Sequence, residues 1–409
     1  MADLPSQPQR EQEPASGVQS GMGNSSQDWV ALKRSGLFIV SAMVVALSFM
    51  TSCPQQQRAA STQEGEQAVA EAELAENQAP ADERKQDSPE EEPGLTLAQA
   101  RELAALPPDE AGRRLAELNL EASDEALIAA LVDKDITAAA LLLAGGANPD
   151  ALAEDNVPAL MVALFTKQET VAHLLIDAGA DVNGYCIMDH STPLMYAAAA
   201  GAVELLDRLL VTGAKLDAVD DTGRSPLFMA CMTGQAATVE CLLELGVDPN
   251  QVDRRNTSPL INAASFLPAQ AVALLIQHGA DVNAVNEDSL TPLLMAAGAG
   301  KADTVALLLE HGADLDAVMY NGYNALHQAA QANAPETLRI LLEQGLDINS
   351  REKISDYTPL MVAVNNGALD AVELLLERGA DRGLKNRRGE TALEMAQSMN
   401  LAKITELLQ

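Results

Sequence analysis

The sequence predicts an all-α solenoid, in which about nine helix–turn–helix–finger units stack in a row. Three observations predict it. A dipeptide of Thr, Ser or Asn followed by Pro or Ala recurs every 33 or 34 residues from Thr192 to Thr391. A Leu and a pair of small residues follow it, and most copies contain two glycines at fixed places. Among the 409 residues, 47% are apolar but only 3% are aromatic, so a core would consist of aliphatic side chains and alanine.

The spacing places nine registered units over residues 125–409, of which the first two are weaker copies. A fixed period of this length is typical of solenoids, because one unit cannot bury its own apolar stripe and must stack on its neighbours. The units open at Glu125, Pro158, Thr192, Ser225, Ser258, Thr291, Asn324, Thr358 and Thr391.

Each unit carries the signals for two helices and a loop. The hydroxyl or amide that opens the unit caps a first helix, and Pro occupies the first helical position, where no backbone donor is lost. A glycine such as Gly201 separates the first helix from a second, aliphatic helix. A later glycine such as Gly213 ends the second helix, since glycine adopts the left-handed C-cap conformation at little cost. A finger loop of the pattern Ala-Asp-Val-Asn follows, as at 280–283.

In its period, its Thr-Pro-Leu opening and its finger loop, the repeat resembles the ankyrin repeat. The resemblance implies a non-enzymatic fold that binds proteins through its fingers and the concave face of its first helices. The sequence departs from the family in three ways. The His that usually follows Thr-Pro-Leu remains only as His327, Leu267-Pro268 replaces the turn between the helices of the fifth unit, and one extra residue follows Asn183 and Asn349.

The N-terminal part of the chain divides into four segments. Residues 1–34 are polar and predicted to be disordered. Residues 35–53 contain an uncharged apolar run and are discussed below. Residues 54–94 carry 11 acids and 3 bases and predict a disordered tether, with an r.m.s. span of about 35 Å. Residues 95–122 predict two short helices, interrupted at Pro107-Pro108, that cover the first end of the repeat domain 123–409.

The apolar run from Gly36 to Met50 follows Lys33 and Arg34 and ends at Cys53. This layout resembles a bacterial lipoprotein export signal, in which Cys53 would become the acylated first residue of the mature protein. The alternative is an uncleaved anchor helix, although the run is at or below the roughly 17 residues that span a bilayer. Both interpretations place everything after Cys53 outside the cytoplasm, in the cell envelope.

Composition and motifs argue against several other functions. The net charge of −33 disfavours binding to nucleic acid or anionic lipid, and the four cysteines are too scattered for a disulfide framework or a closed zinc site. No phosphate-binding loop, Gly-x-Ser-x-Gly elbow or His-Glu-x-x-His motif is present. We therefore expect no enzyme activity, metal or cofactor.

Cysteine and histidine are the side chains most able to act as nucleophiles or metal ligands. Cys186, Asp189 and His190 share the long third finger, but a fourth metal ligand is missing nearby, so we expect an exposed loop. Cys231 and Cys241 read as small buried side chains, with a disulfide as the alternative. The repeat explains His278 and His311 as helix ends, and His173 is predicted to face solvent.

Exposed tyrosine, methionine and arginine are frequent anchors of protein interfaces. The predicted function is thus a monomeric protein-binding scaffold tethered to the cell envelope, and the alternative is an exported immunity or stress-protection protein that sequesters one toxic or enzymatic partner. The candidate protein-binding residues are Tyr185, Met188, Tyr196, Arg254, Arg255, Met319, Tyr320, Tyr323 and Tyr357.

Overall fold

The computed structural model describes residues 95–153 and 156–409. The predicted leader (1–34), export segment (35–53) and linker (54–94) lie outside them. The described part of the chain contains twenty α-helices and, besides two isolated β-bridges, no strand. None of these helices combines the length and apolar character needed to cross a membrane. The helices are α1 Leu97–Ala104, α2 Pro108–Glu117, α3 Asp124–Val132, α4 Ile136–Ala144, α5 Ala159–Phe165, α6 Glu169–Asp177, α7 Pro193–Ala200, α8 Val203–Val211, α9 Pro226–Thr233, α10 Ala236–Glu244, α11 Pro259–Phe266, α12 Ala269–Gln277, α13 Pro292–Gly298, α14 Ala302–Glu310, α15 Ala325–Gln331, α16 Pro335–Glu343, α17 Pro359–Asn365, α18 Leu369–Glu377, α19 Ala392–Ser398 and α20 Ala402–Leu408.

Helices α3 to α20 form nine pairs, one for each predicted unit. The first helix of each pair packs on the first helices of the neighbouring units, and the second helices form another layer in the same order. Small and aliphatic side chains fill the space between the layers. In the third unit, Leu194 and Ala197 of α7 are buried together with Leu205 and Leu209 of α8. The predicted all-α solenoid is confirmed.

The predicted capping signals act at the helix ends. The Ser225 hydroxyl accepts a hydrogen bond from the backbone N–H of Phe228 (3.3 Å), and Gly234 ends the same helix in the left-handed conformation, with φ 78°. The fifth unit has the altered turn that its sequence predicts. Leu267 and Pro268 are both extended there, and the Leu267 side chain is completely buried in place of a glycine cap.

The asparagine of the Ala-Asp-Val-Asn loop ties one unit to the next. Asn283 Nδ2 donates to the carbonyl oxygen of Gly312 (3.0 Å), and its Oδ1 accepts from the backbone N–H of Asp314 (2.7 Å). The side chain thus satisfies backbone groups at the end of the next second helix. The same two bonds join Asn183 to Gly213 and Lys215, and Asn250 to Gly279 and Asp281.

The two N-terminal helices pack on the layer of second helices. Helix α2 lies against α4, whereas α1 lies across both α4 and α6. Ala100 of α1 is buried against Ala140 of α4 and Leu174 of α6. The carboxylate of Asp177 on α6 pairs with Arg101 on α1 (2.7 Å) and with Arg208 on α8. Helix α1 therefore reaches beyond the first unit and covers part of the second.

His173 is buried rather than exposed to solvent, so the sequence prediction for this residue is wrong. The reason is helix α1, which covers the face of α6 that would otherwise contact water. Burial, followed by the nearby charge of Arg101, lowers the pKa of His173. Its Nδ1 atom is buried and has no hydrogen-bond partner among the described residues.

Candidate protein-binding surface

Each finger is a tight turn closed by a backbone hydrogen bond. The residue that opens the turn, here called the tip-start residue, donates its N–H to a carbonyl four positions later, as Asp253 does to Thr257 (3.1 Å). The two fingers with one extra residue close over five positions, as between Cys186 and Ser191 (3.0 Å). Each finger is numbered by the unit that it precedes, and the tip-start residues of the third to the ninth finger are Cys186, Asp220, Asp253, Asn286, Met319, Glu352 and Asn386.

In most fingers the tip-start side chain is an oxygen acceptor turned towards its own loop. Asp220 Oδ1 accepts from the backbone N–H groups of Thr222 (2.8 Å) and Arg224 (2.9 Å). Glu352 accepts from the backbone N–H groups of Ile354 (2.6 Å) and Tyr357 (3.2 Å). Both carboxylate residues are buried. These bonds hold the turn in one conformation, so the tips present their side chains from a fixed backbone.

Met319 occupies a tip-start position and is only 4% exposed, so the expectation that it faces water is wrong. Its Sδ accepts a hydrogen bond from Gln328 Nε2 (2.6 Å). Asn321 takes over the acceptor role in this finger and binds the backbone N–H of Tyr323 (3.0 Å). The repeat register predicts this burial. Met319 lies 33 residues after Asn286 and so has the same repeat position, at which the side chain turns inward.

Tyr323 and Tyr357 are half-buried and belong to the junction between two units. The ring of Tyr323 packs on the imidazole of His327, with centroids 5.2 Å apart, and burial raises the pKa of Tyr323 to about 12. Burial lowers the pKa of His327 to about 4, so the imidazole is neutral near pH 7. Its Nε2–H donates to the carbonyl oxygen of Tyr357 (3.1 Å).

Tyr196 lies on helix α7 and is also half-buried. Its ring meets that of Phe165 edge to face, with centroids 4.7 Å apart, and so links α5 to α7. Burial, followed by the charge of Asp189, raises the pKa of the Tyr196 hydroxyl. This tyrosine contributes to packing between first helices as well as to the surface.

The long third finger exposes three large side chains. Tyr185, Ile187 and Met188 are each about half exposed. Tyr185 stacks on His190 with ring centroids 4.7 Å apart, and His190 Nδ1 lies 2.9 Å from the Asp221 carboxylate of the next finger. In this longer finger, the stacked side chains of Tyr185 and His190 are therefore connected to the next finger through Asp221.

The three cysteines in the described part of the chain show no sign of nucleophilic activation. Cys186 is buried, contrary to the expectation of an exposed loop, and burial raises the pKa of its thiol. Cys231 is completely buried and Cys241 is partly buried, and both are free thiols, so no disulfide joins them. Burial also raises both thiol pKa values, whereas reactive cysteines need a lowered pKa. Within residues 95–153 and 156–409, no group of three or more His, Cys, Asp or Glu could hold a metal ion.

Tyr320 and Arg254 are exposed at their finger tips, and Tyr320 reaches 69% exposure. Arg255 is exposed as well and forms an ion pair with Asp288 of the following finger. Arg254 donates its backbone N–H to the Thr222 carbonyl (2.7 Å), while its side chain extends into solvent without an ion pair to any described residue.

Neighbouring finger tips are joined by a ladder of backbone hydrogen bonds that is interrupted at Tyr320. Among the described fingers from Asp220 onward, the N–H of the residue after the tip-start position donates to a carbonyl of the previous tip in every finger except that of Tyr320. Tyr320 makes no such bond to Asp288. The backbone hydrogen bond to the preceding finger is therefore missing at this tip. The observed bonds are Asp221 to Asp189 (2.9 Å), Arg254 to Thr222 (2.7 Å), Glu287 to Arg255 (3.0 Å), Lys353 to Asn321 (2.9 Å) and Arg387 to Ser355 (2.8 Å).

One exposed aromatic residue was missed by sequence reasoning. Phe266 ends helix α11 and is about half exposed on the first-helix layer. The other first helices have Ala, Thr, Asn, Asp or Met at the corresponding position, as in Ala200, Thr233 and Met399, so no other unit has an aromatic residue there. A comparison of the units position by position would have revealed it.

Comparisons with known proteins agree with the helix pairs. Models of the ankyrin repeat family match residues 194–286 and 260–352 (three copies) and residues 353–396 (many copies). None of the curated proteins compared with the chain matches it. Among solved structures, the human ASB11 ankyrin repeat domain is 26% identical, with a TM-score of 0.47, and the match covers 54% of this chain and 98% of that one. The matched repeats and the stacked helix pairs together identify this chain as an ankyrin repeat protein.

Proposed function

We propose that this chain is a non-enzymatic scaffold that binds a protein partner through its finger tips and the exposed side of its first helices. The observation that carries the proposal is the presence of large exposed side chains on tips that are held by backbone hydrogen bonds. Tyr185, Met188 and Tyr320 are the apolar and aromatic anchors, and Arg254 and Arg255 supply charge between them. Such residues carry a large share of the binding free energy in protein interfaces.

The rigidity of the tips also supports this function. Asp220 and Glu352 hold their own turns, and the inter-finger bonds fasten one tip to the next. A surface that is already ordered loses little conformational entropy when a partner binds, so more of the contact energy appears as affinity. The half-buried Tyr196, Tyr323 and Tyr357 contribute their exposed edges, whereas the buried Met319 is not part of the proposed surface.

Site-specific photo-crosslinking tests the proposal. The photoreactive residue benzoylphenylalanine replaces Tyr320 in the full chain, or Val211 as a control, because Val211 is 82% exposed on the second-helix side. Irradiation of the source cells should give a discrete crosslinked product from position 320 and none from position 211. Equal products from both positions, or no product from position 320, would contradict a finger-mediated interaction.

The place where the scaffold acts is a second part of the proposal. We infer that the chain is exported and held at the cell envelope by residues 35–53, with the ankyrin repeats outside the cytoplasm and acting as a monomer. The supporting observation is the order of Lys33-Arg34, the apolar run 36–50 and Cys53 in the sequence. The acidic segment 54–94 would separate the repeats from the membrane.

Metabolic labelling with a fatty-acid analogue tests the lipid anchor. The wild-type chain should be labelled and shortened to begin at Cys53, and Cys53→Ala should remove the label. An unlabelled wild type that keeps its full N-terminus and fractionates with the membrane would instead support an uncleaved anchor helix. A chain of full length that stays in the cytoplasm would refute export.

A further inference from the structure

A row of exposed apolar side chains runs along the fingers, with one member in each of six successive units. Every member directly precedes the residue that opens the finger tip, and successive members lie 33 or 34 residues apart. Each member is between 40% and 53% exposed. This apolar row consists of Leu152, Tyr185, Val219, Val252, Val285 and Val318.

The exposed apolar end of helix α8, on the second-helix side, does not recur in this way. On the second-helix side, Val211 is the exposed apolar end of helix α8, but the same position is Glu244 in the next unit, then Gln277 and Glu310. An apolar side chain that occurs once on a surface needs no explanation, whereas a contiguous series marks an interaction site. The apolar row is therefore a candidate docking surface that extends over six units.

Among extended partner segments, the spacing of the row favours one conformation. Helices that pack side by side lie about 8–10 Å apart, so the row presents one apolar side chain at about that interval. A polyproline II segment has three residues per turn and rises about 3.1 Å per residue, which places every third side chain on one face about 9 Å apart. Successive side chains of a β-strand point to opposite faces, so its third residue would point away from the row. A polyproline II segment fits the interval.

The row ends at basic fingers. After Val318 the corresponding positions are Arg351 and Lys385, both exposed, and the last tip carries Arg387 and Arg388. Of the acids in these fingers, Glu352 is buried and accepts backbone N–H groups of its own loop, whereas Asp356 is partly exposed and lies 3.5 Å from Arg387. In a chain of net charge −33, Arg351, Lys385 and Arg388 are exposed bases at this end that form no ion pair with a described residue. Acidic residues at one end of the partner segment would be complementary to it.

We propose that the apolar row and the basic fingers at 351–388 bind one extended segment of a protein partner. This inference rests on the proposed function. The segment adopts the polyproline II conformation, carries an apolar side chain at every third position, and has a cluster of acidic residues at one end. The third-position side chains contact the row from Leu152 to Val318. The acidic end lies against Arg387 and Arg388.

Fluorescence anisotropy with the full chain and labelled peptides tests this proposal. The first probe is (Val-Pro-Gln)₆ with four Glu residues at one terminus, made in an N-terminal and a C-terminal version. The second probe has the same composition, but its valines are shuffled. A third carries four Lys in place of the four Glu. The first probe should bind at least tenfold more tightly than the other two. Equal affinity for ordered and shuffled valines would overturn the proposal.

Variants of the chain locate the binding. The double substitution Val252→Thr and Val285→Thr removes apolar surface with little change of shape and should weaken binding about tenfold, while Val211→Thr should leave it unchanged. Arg387→Glu with Arg388→Glu should abolish the preference for the acidic peptide. If Val252→Thr and Val285→Thr instead reduce self-association of the chain without any peptide binding, the occupant is a second copy and the proposal is wrong.

Failure of this inference is distinguishable from failure of the proposed function. A crosslinked product from position 320 with no binding of any peptide would leave the scaffold function in place and reject only the polyproline II segment. Peptide binding that is unaffected by the Val252 and Val285 substitutions would place the segment elsewhere and likewise overturn the inference.

Discussion

His327 donates a hydrogen bond from Nε2 to the backbone carbonyl oxygen of Tyr357 (3.1 Å), and so joins the seventh unit to the eighth. Its Nδ1 lies 3.4 Å from the backbone N–H of Asn324, which opens its own helix. Burial lowers the pKa of the imidazole to about 4, below the value of about 6.5 in an unfolded chain.

This relationship predicts a pH-dependent contribution to stability. As the pH falls below 6.5, the unfolded chain takes up a proton at His327 that the folded chain does not bind until about pH 4. The free energy of unfolding should therefore decrease by about 2 kcal/mol between pH 7 and pH 5 from this residue. Urea titrations of the wild type and His327→Gln at both pH values measure the difference. An equal loss in both proteins would contradict the assignment.

A second prediction concerns the asparagine that bridges two units. Asn283→Ala removes the bonds to Gly312 and Asp314 and should lower the free energy of unfolding by about 1–2 kcal/mol, at roughly 0.5–1.5 kcal/mol for each hydrogen bond. Asp316→Ala is the matched control, because Asp316 has the same position in the next unit but its carboxylate makes no bridging bond. Chemical denaturation compares them, and indistinguishable midpoints would argue against the bridge.

The contrast between adjacent residues Met319 and Tyr320 gives a third prediction. Met319→Ala leaves a cavity under the finger and should destabilise the protein by about 2–3 kcal/mol. Tyr320→Ala removes an exposed side chain and should change stability by less than about 0.5 kcal/mol while weakening partner binding. Thermal and urea unfolding of both variants test this. A larger stability loss for Tyr320→Ala than for Met319→Ala would reverse the assignment of the two positions.

Much of this fold follows from the sequence because each unit repeats the same local signals. The Thr-Pro and Ser-Pro openings place the helix starts, and even the exceptional turn at Leu267-Pro268 could be anticipated from the absence of glycine and the missing proline donor. The interior positions of each unit are predictable for the same reason.

The errors arose where tertiary contacts override the local signal. His173 is buried because α1 lies across α6, and no feature of the repeat indicates where a helix outside it will pack. Met319 was expected to be exposed because it lies in a finger loop next to Tyr320, although its repeat position turns inward. The gap in the finger ladder at Tyr320 depends on backbone geometry and has no sequence signature.

The docking of helix α1 gives the last prediction. The Asp177 carboxylate of α6 contacts both Arg101 of α1 and Arg208 of α8. Asp177→Asn therefore removes the ion pairs that connect α6 to these two helices. Amide hydrogen exchange in residues 97–104 should become about two- to fivefold faster, because each partly exposed ion pair contributes only about 0.2–1 kcal/mol. Exchange in helices α15 and α16, far along the chain, should stay unchanged. Glu110→Gln is the control, since the pair of Glu110 with Arg114 lies within α2 and links no two helices. Faster exchange in Glu110→Gln but not in Asp177→Asn would show that the ion pairs of Asp177 do not hold α1 in place.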